Sequence, residues 1–373
     1  MKVLFVACQD SPFDHNAGSG KDYEIYQGLV RNGAEVVVVG PFPFSQTFAE
    51  RIFRKAHTLL IKRRPAKYPD SFLNKAAAEV TKNIRTHKPD VIFSKYLSIL
   101  CRIKTEVPIV VLSDTTLAGN QREWPIFTRA AFLKQNRCEQ KGYDMAHSIF
   151  VHSQWSVDDL VHSYHQPLSK IHLNACPASI PTDVIPATIT PKDLSPLKIL
   201  IVGREYRRKG IDIAIEVIRQ LNHQGTDTCL RIAGMNGESD EQVQYMGLYN
   251  KTIPEQLQGY VANYQWANFL IHPARFEAAG IVPAEAAAFG VPTITNNVGG
   301  LATTVADRVS GVVLPKHSPA ESYVRVLKEY CDDPVAYHLL CETTRQRYET
   351  ELNWDVVSKK LYRICQDACS LKS

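Results

Sequence analysis

Two doubly wound α/β domains joined by a proline-rich connector are the architecture this sequence predicts, on three observations. The chain has 373 residues, about twice the usual domain size. Short apolar runs of strand length alternate with helix-length segments, about six strands to each half. Pro181, Pro186, Pro191 and Pro196 recur at intervals of five without a sustained apolar pattern, which reads as an extended linker. The expected division is 1–180, a linker over 181–197, a second domain over 198–353, and a C-terminal helical segment over 354–373.

Composition narrows the class. With 45% hydrophobic and 22% charged residues the chain is neither disordered nor fibrous, and no apolar run approaches the roughly 20 residues of a transmembrane helix. The opening Met1–Cys8 run is too short, and too soon followed by Gln9-Asp10, to read as a signal peptide, so a cytoplasmic location is expected. Nine cysteines without a Cys-x-x-Cys pair fit reduced thiols, and Cys365 and Cys369, four apart, read as packing residues. The net charge of +5 is uneven: residues 1–190 hold 23 Lys+Arg against 17 Asp+Glu.

The first half opens with a buried strand over Val3–Cys8, a helix from about Tyr23 to Arg31 stopped by Asn32-Gly33, and a strand at Glu35–Val39. The loop Ala17-Gly18-Ser19-Gly20-Lys21 fails the P-loop pattern. Asp22 stands where Ser or Thr should hold magnesium, and Asp14 or His15 where the first glycine belongs. Arg51–Lys67 interleaves seven basic residues with Ile52, Phe53, Leu59, Leu60 and Ile61. As a helix it has two readings: a surface for anionic lipid or an acidic acceptor, or a solvated face with its apolar residues on the core. Val91–Phe93 and Ile109–Leu112 continue the strand series, and Asp114 follows at the strand end where open α/β sheets bind ligands. It reads either as a site residue or as an Asx-turn or helix cap. Ile149–His152 and Ile171–Leu173 are the remaining strands, with a helix opened by Ser153 between them.

The second half opens with a strand at Lys198–Val202, then Gly203-Arg204-Glu205-Tyr206-Arg207-Arg208-Lys209-Gly210 and a helix to about Gln220. A glycine turn leaves room for a phosphate, and Arg204 and Lys209 bring two positive charges to it. Leu230–Gly234 is a further strand. Phe269-Leu270-Ile271 and Val291–Thr295 are two more, with a helix between them that Pro283 confines to a start near Gly280. Ala279, Gly280, Ile281 and Val282 thus lie at a helix N-terminus suited to an anion such as a diphosphate. Glu277 and Glu285 bracket that terminus, as carboxylates that accept hydrogen bonds from sugar or ribose hydroxyls would. The other reading makes Glu285 a solvated helix residue and Glu277 a first-turn carboxylate favoured by the helix dipole. Trp354–Cys369 has helical periodicity.

The run Glu277-Ala278-Ala279-Gly280-Ile281-Val282-Pro283-Ala284-Glu285-Ala286 resembles the donor-site signature Glu-Gly-Phe-Gly-Leu-Val-x-x-Glu-Ala of the retaining family 4 glycosyltransferases. Ala278 and Ala279 depart from it, and the resemblance then implies a roomier pocket beside the donor sugar. Gly203-Arg204-x4-Lys209-Gly210 matches the family's Gly-Arg-x4-Lys-Gly without gaps. Gly18 and Gly20 resemble the glycine loop that approaches the donor diphosphate. Ser153-Gln154-Trp155 and Asn297-Val298-Gly299-Gly300 resemble further landmarks. Asp114 stands about where many members have a histidine, and Asn268 replaces a frequent aspartate.

The resemblance implies the GT-B fold: two facing Rossmann-like domains with an interdomain cleft, acceptor on the first, nucleotide-diphosphate sugar (UDP-, GDP- or ADP-) on the second, and the C-terminal helix crossing back to the first. It implies Arg204 and Lys209 on the departing diphosphate, Glu277 on the sugar, Glu285 on the ribose, and same-face attack with retention. The chain has no Asp-x-Asp, so no metal ligands and no cofactor are expected. The implied acceptor is a saccharide, lipid-linked or small molecule, in polysaccharide or glycoconjugate biosynthesis, with no nucleic-acid partner. Peripheral contact with the inner face of a membrane is expected through Arg51–Lys67. Two other readings are a sugar-nucleotide epimerase of the same fold and a catalytically silent binding subunit.

Overall fold

The structure is a computed structural model. It describes every residue except 9, 15–19, 45–47, 62, 67 and 371–373, and the side chains of 49, 50, 53, 54 and 57. Two compact units emerge: Met1–Asn174 with Trp354–Ser373, and Ala175–Asn353. Residues 181–197 therefore lie within the second unit rather than forming a free connector. Ala178 and Ile180 are buried in one of its cores, and Ile189 and Leu194 pack against the other.

The first unit carries the strands β1 (Lys2–Val6), β2 (Glu35–Val39), β3 (Val91–Ser94), β4 (Ile109–Ser113), β5 (Ser148–Val151) and β6 (Ile171–Leu173). They form one parallel sheet in the order β2-β1-β3-β4-β5-β6. Side chains alternate between its faces as the strand period of two requires. Leu4 and Val6 join one apolar cluster, while Val3 and Phe5 join the other, which also holds Trp354, Leu361 and Cys365 of the C-terminal helix Trp354–Ser370. The helices α1 (Lys21–Arg31) and α2 (Phe48–Ile61) follow β1 and β2.

The second unit repeats the plan with β7 (Leu197–Val202), β8 (Thr228–Ala233), β9 (Val243–Tyr245), β10 (Phe269–His272), β11 (Thr293–Asn296) and β12 (Gly311–Leu314), in the order β12-β11-β10-β7-β8-β9. Ile199 and Ile201 face the helix Ile211–His223; Leu200 and Val202 face the alanine-rich helix Ile281–Ala288. Asn268, just before β10, anchors this sheet, accepting from Lys198 N at 2.8 Å and donating to Asp193 O at 3.0 Å.

Each sheet has one place where consecutive connections leave in opposite directions: between β1 and β3 in the first, and between β7 and β10 in the second. Such switch points open a crevice at the carboxyl ends of the strands, where ligands bind in open α/β sheets.

Candidate functional site

In the second unit, β7 runs into Gly203 and the helical turn Tyr206–Lys209, while β10 ends at His272 and is followed by Glu277. A Cβ at Gly203 would lie 2.6 Å from Cγ of Lys209, so a larger residue would block the path of the lysine stem. Lys209 pairs directly with Glu277, the two side chains only 10% and 15% exposed. Arg208 Nη1 and His272 Nε2 each lie 3.4 Å from the same carboxylate oxygen. Burial alone would push the Glu277 carboxyl up, but Lys209 and His272 outweigh it and hold it well below the usual carboxylate range. Burial lowers His272, with Lys209 acting in the same direction, so its imidazole is neutral at pH 7. Arg204 stands exposed on the turn, without a hydrogen bond or ion pair among the described residues.

Gly280 caps the helix Ile281–Ala288 at φ 85°, in the left-handed region that favours glycine. Ile281 and Val282 form its first turn, where N–H groups have no intrahelical acceptor. Because Ala284, Ala286, Ala287 and Ala288 are all buried, Glu285 is carried into the interior, 1% exposed. A carboxylate there needs partners. It has three: Lys251 Nζ at 2.6 Å on one oxygen, and the hydroxyls of Tyr260 and Tyr264 at 2.6 and 2.8 Å on the other. Lys251 also donates to Ser179 O at 3.1 Å and lies 4.6 Å from the centre of the Tyr260 ring. The solvated-helix reading of Glu285 therefore fails, because every residue of this helix from Pro283 to Ala288 is buried.

In the first unit, Asp114 follows β4 and pairs with Lys21 Nζ at 2.6 Å; the lysine side chain is 7% exposed and the carboxylate 36%. His152, fully buried at the end of β5, places Nε2 3.8 Å from the same carboxylate oxygen. Burial would raise Asp114, but Lys21 and then His152 bring it down to about 2. Burial and Lys21 together lower His152 to about 4. The helix-cap reading of Asp114 does not hold for the helix Leu117–Glu123, whose cap is Thr116, accepting from Gly119 N. Gly20 caps α1 at φ 77°, whereas Gly18 lies outside the described residues.

Lys209 and Glu277 are thus brought together, and Glu285 joins a separate tyrosine–lysine cluster. Sequence reasoning passed over Arg208, His272, Lys251, Tyr260, Tyr264, Lys21 and His152. Tyr260 and Tyr264 carried one signal, a spacing of four that puts both on one helix face. For Lys251 there was none, because a loop lysine reads as solvated until the fold delivers a buried acid to it.

A family model described as "Glycosyl transferases group 1" matches residues 188–348, and one described as "Glycosyltransferase Family 4" matches residues 23–177. The glycogen synthase of Mycobacterium tuberculosis is 27% identical over 169 residues, 44% of this chain but only 41% of that protein's length. The D-inositol 3-phosphate glycosyltransferase of Corynebacterium aurimucosum is 26% identical over 310 residues, 76% of this chain and 73% of that one. Among solved structures, WaaG, a glycosyltransferase involved in lipopolysaccharide biosynthesis, aligns at TM-score 0.61 with 18% identity, over 97% of this chain and 99% of that one. HepE of Anabaena in complex with UDP and glucose aligns at TM-score 0.64 with 15% identity, over 98% and 99%. The motifs, the paired parallel sheets and both matched halves agree: the chain belongs to the family 4 glycosyltransferases of the GT-B fold.

Proposed function

We propose that this protein is a retaining glycosyltransferase that moves a sugar from a nucleotide-diphosphate sugar to an acceptor. The observation that carries the reading is the β7/β10 switch point, where Lys209, Arg204, Glu277 and the Gly280 helix terminus lie on the two loops that border one crevice. The diphosphate sits on the N–H groups of Ile281 and Val282 and between Arg204 and Lys209, which meet the charge that develops as it departs. Lys209 exchanges part of its pairing with Glu277 for the phosphate, and Glu277 then accepts from the donor sugar's hydroxyls. Glu285 serves the ribose. With no free nucleophile assigned to the crevice, attack comes from the leaving group's face, guided by the departing phosphate.

HepE, solved with UDP and glucose, supports a nucleotide-sugar donor, and UDP, GDP and ADP sugars are the candidates. The family resemblance assigns Gly18 and Gly20 to the diphosphate and Asp114 to the acceptor. The acceptor belongs to polysaccharide or glycoconjugate assembly, in the cytoplasm. Thermal unfolding of the full chain with each sugar nucleotide tests the donor assignment. A donor at 100 times its dissociation constant stabilises by about 2.7 kcal/mol, and absence of a shift with all three classes contradicts it.

An anionic membrane surface is the second partner we assign. Of the apolar residues that the core reading would bury, Ile52, Leu59, Leu60 and Ile61 are 53–81% exposed and the side chain of Phe53 lies outside the described ones, so that reading does not hold for the four; Phe48 is exposed beside them. Arg51, Lys55 and Arg64 are exposed with them. Apolar and basic side chains interleaved on one exposed helix suit the headgroup region of anionic lipid. Among the described residues no helix is long and apolar enough to cross a membrane.

A further inference from the structure

We propose that the β1/β3 switch-point crevice of the first unit binds a neutral, hydroxyl-rich ligand through a surplus of hydrogen-bond acceptors, so that the acceptor sugar or polyol enters it without a phosphate. This rests on the glycosyltransferase reading and adds the chemical class of its acceptor.

Three loops at the carboxyl ends of the strands bring the charges together. The α1 start supplies Lys21 and Asp22, the β3 end supplies Lys95, and the turn after β4 supplies Asp114. Lys95 Nζ pairs with Asp22 at 2.9 Å and approaches Asp10 at 3.9 Å, as Lys21 pairs with Asp114. Both lysines are therefore engaged by carboxylates. Three carboxylates against two ammonium groups leave this cluster at −1, or at zero where burial holds the proton on Asp22, whose carboxyl it pushes up. Neither state offers a net positive seat to a phosphate.

The hydrogen-bond count points the same way. His152 Nδ1 lies 3.0 Å from Asn174 O, which can only accept, so the ring proton sits on Nδ1 and Nε2 is a bare acceptor. That Nε2 has no hydrogen-bond partner among the described residues, and it faces an oxygen of Asp114, a second acceptor. Asp22, 1% exposed, likewise leaves Oδ2 without one among the described residues. Nε2 of His152 is thus a buried acceptor without a donor, costly unless a donor arrives, and Oδ2 of Asp22 is a second one wherever that carboxyl is ionised. A polyol brings O–H donors; a phosphate dianion brings only more acceptors. Asp114 and Asp10, 36% and 42% exposed, form the open rim that meets the incoming hydroxyls. Held down at about 2, Asp114 is a weak base that orients a hydroxyl rather than stripping it of its proton.

The test uses the full chain with UDP, GDP or ADP, each added in turn at saturating concentration, and reads ligand binding by saturation-transfer NMR. The probes are three neutral compounds, methyl α-glucopyranoside, methyl α-mannopyranoside and myo-inositol, and the phosphate monoester of each. At least one neutral probe is expected to bind ten times or more tightly than its own monoester. Asp114→Asn is expected to weaken that probe at least tenfold and to narrow the preference. A monoester that binds as tightly as its parent, or failure of all three neutral probes to bind, overturns the inference. Because the wild-type preference is itself the readout, the outcome stands even if the variant folds poorly. Signals of the three nucleotides report the donor site separately: absence of binding by all three counts against the glycosyltransferase reading, whereas the polyol preference speaks to this crevice alone.

Discussion

Removing Lys209 should damage stability and turnover by separable routes. Lys209 and Glu277 are paired at 10% and 15% side-chain exposure, and breaking a buried pair from one side costs about 3–5 kcal/mol because the other charge stays behind. Here Arg208 and His272 remain 3.4 Å from the carboxylate, so Lys209→Met should fall near the lower end, about 3 kcal/mol. Glu277→Gln strands the lysine instead and should cost about the same. The double variant strands neither, so the two changes should be non-additive by about 2–3 kcal/mol, the upper range for contacting residues. Turnover should behave differently. If Lys209 meets the departing diphosphate, Lys209→Met lowers it by roughly 10²–10³-fold, about 2.7–4 kcal/mol, and Glu277→Gln does not restore it. Hydrogen exchange of the β7 and β10 peptides in rising urea reads the stability of the second unit alone, and release of nucleoside diphosphate reads turnover. Additive stabilities would show that the ion pair does not couple the two loops. Wild-type turnover in Lys209→Met would remove it from the mechanism.

Arg204→Ala should lower turnover by a similar roughly 10²–10³-fold. Its exposed side chain leaves stability within about 0.5 kcal/mol of wild type, checked by urea unfolding; a large loss of stability would mean that its role is structural. Activity should persist in EDTA, and complete loss restored by Mg²⁺ or Mn²⁺ would refute the protein-borne stabilisation of the diphosphate. Burial raises Glu139, which accepts from Tyr164, Leu117 N and Tyr143, to about 7 from the ordinary 4.5. Between those values the folded state holds more protons than the unfolded, so the first unit should lose stability as pH rises from about 4.5 to about 7. Glu139→Gln should flatten that slope in urea midpoints, and an unchanged slope would rule the residue out. The protein should sediment with anionic liposomes at low salt and be released as salt rises. Replacing Lys62, Arg63 and Arg64 with glutamine should abolish this, each charge contributing on the order of 1 kcal/mol. Wild-type protein that stays in the supernatant would defeat the membrane contact.

The strand–helix alternation and the start of the helix at Gly280 were legible because both are local. Apolar runs of strand length are written in consecutive residues, and Pro283 admits few helix starts. The pairing of Lys209 with Glu277 was not legible, since 68 residues separate them and only the β7–β10 adjacency brings them together. Glu285 shows the same limit in another form. Nothing in its own sequence says that every residue of an alanine helix from Pro283 to Ala288 will be buried, or that Lys251, Tyr260 and Tyr264 converge on it. Residues 181–197 misled for a physical reason as well: prolines that break periodicity read as solvent-exposed chain, yet Ile189 and Leu194 lie against a core. The apolar residues of α2 misled the other way, for periodicity marks an amphipathic face without saying what covers it.

Release of nucleoside diphosphate, followed by ³¹P NMR, reads sugar transfer from the donor itself. The wild-type chain is incubated with UDP-, GDP- and ADP-glucose in EDTA, with a mixed saccharide pool as acceptor, beside Arg204→Ala and Lys209→Met. The sugar-diphosphate resonances of at least one donor are expected to give way to those of the free nucleoside diphosphate, roughly 10²–10³ times more slowly in each variant. No release from any donor, or equal rates in all three proteins, would contradict that expectation.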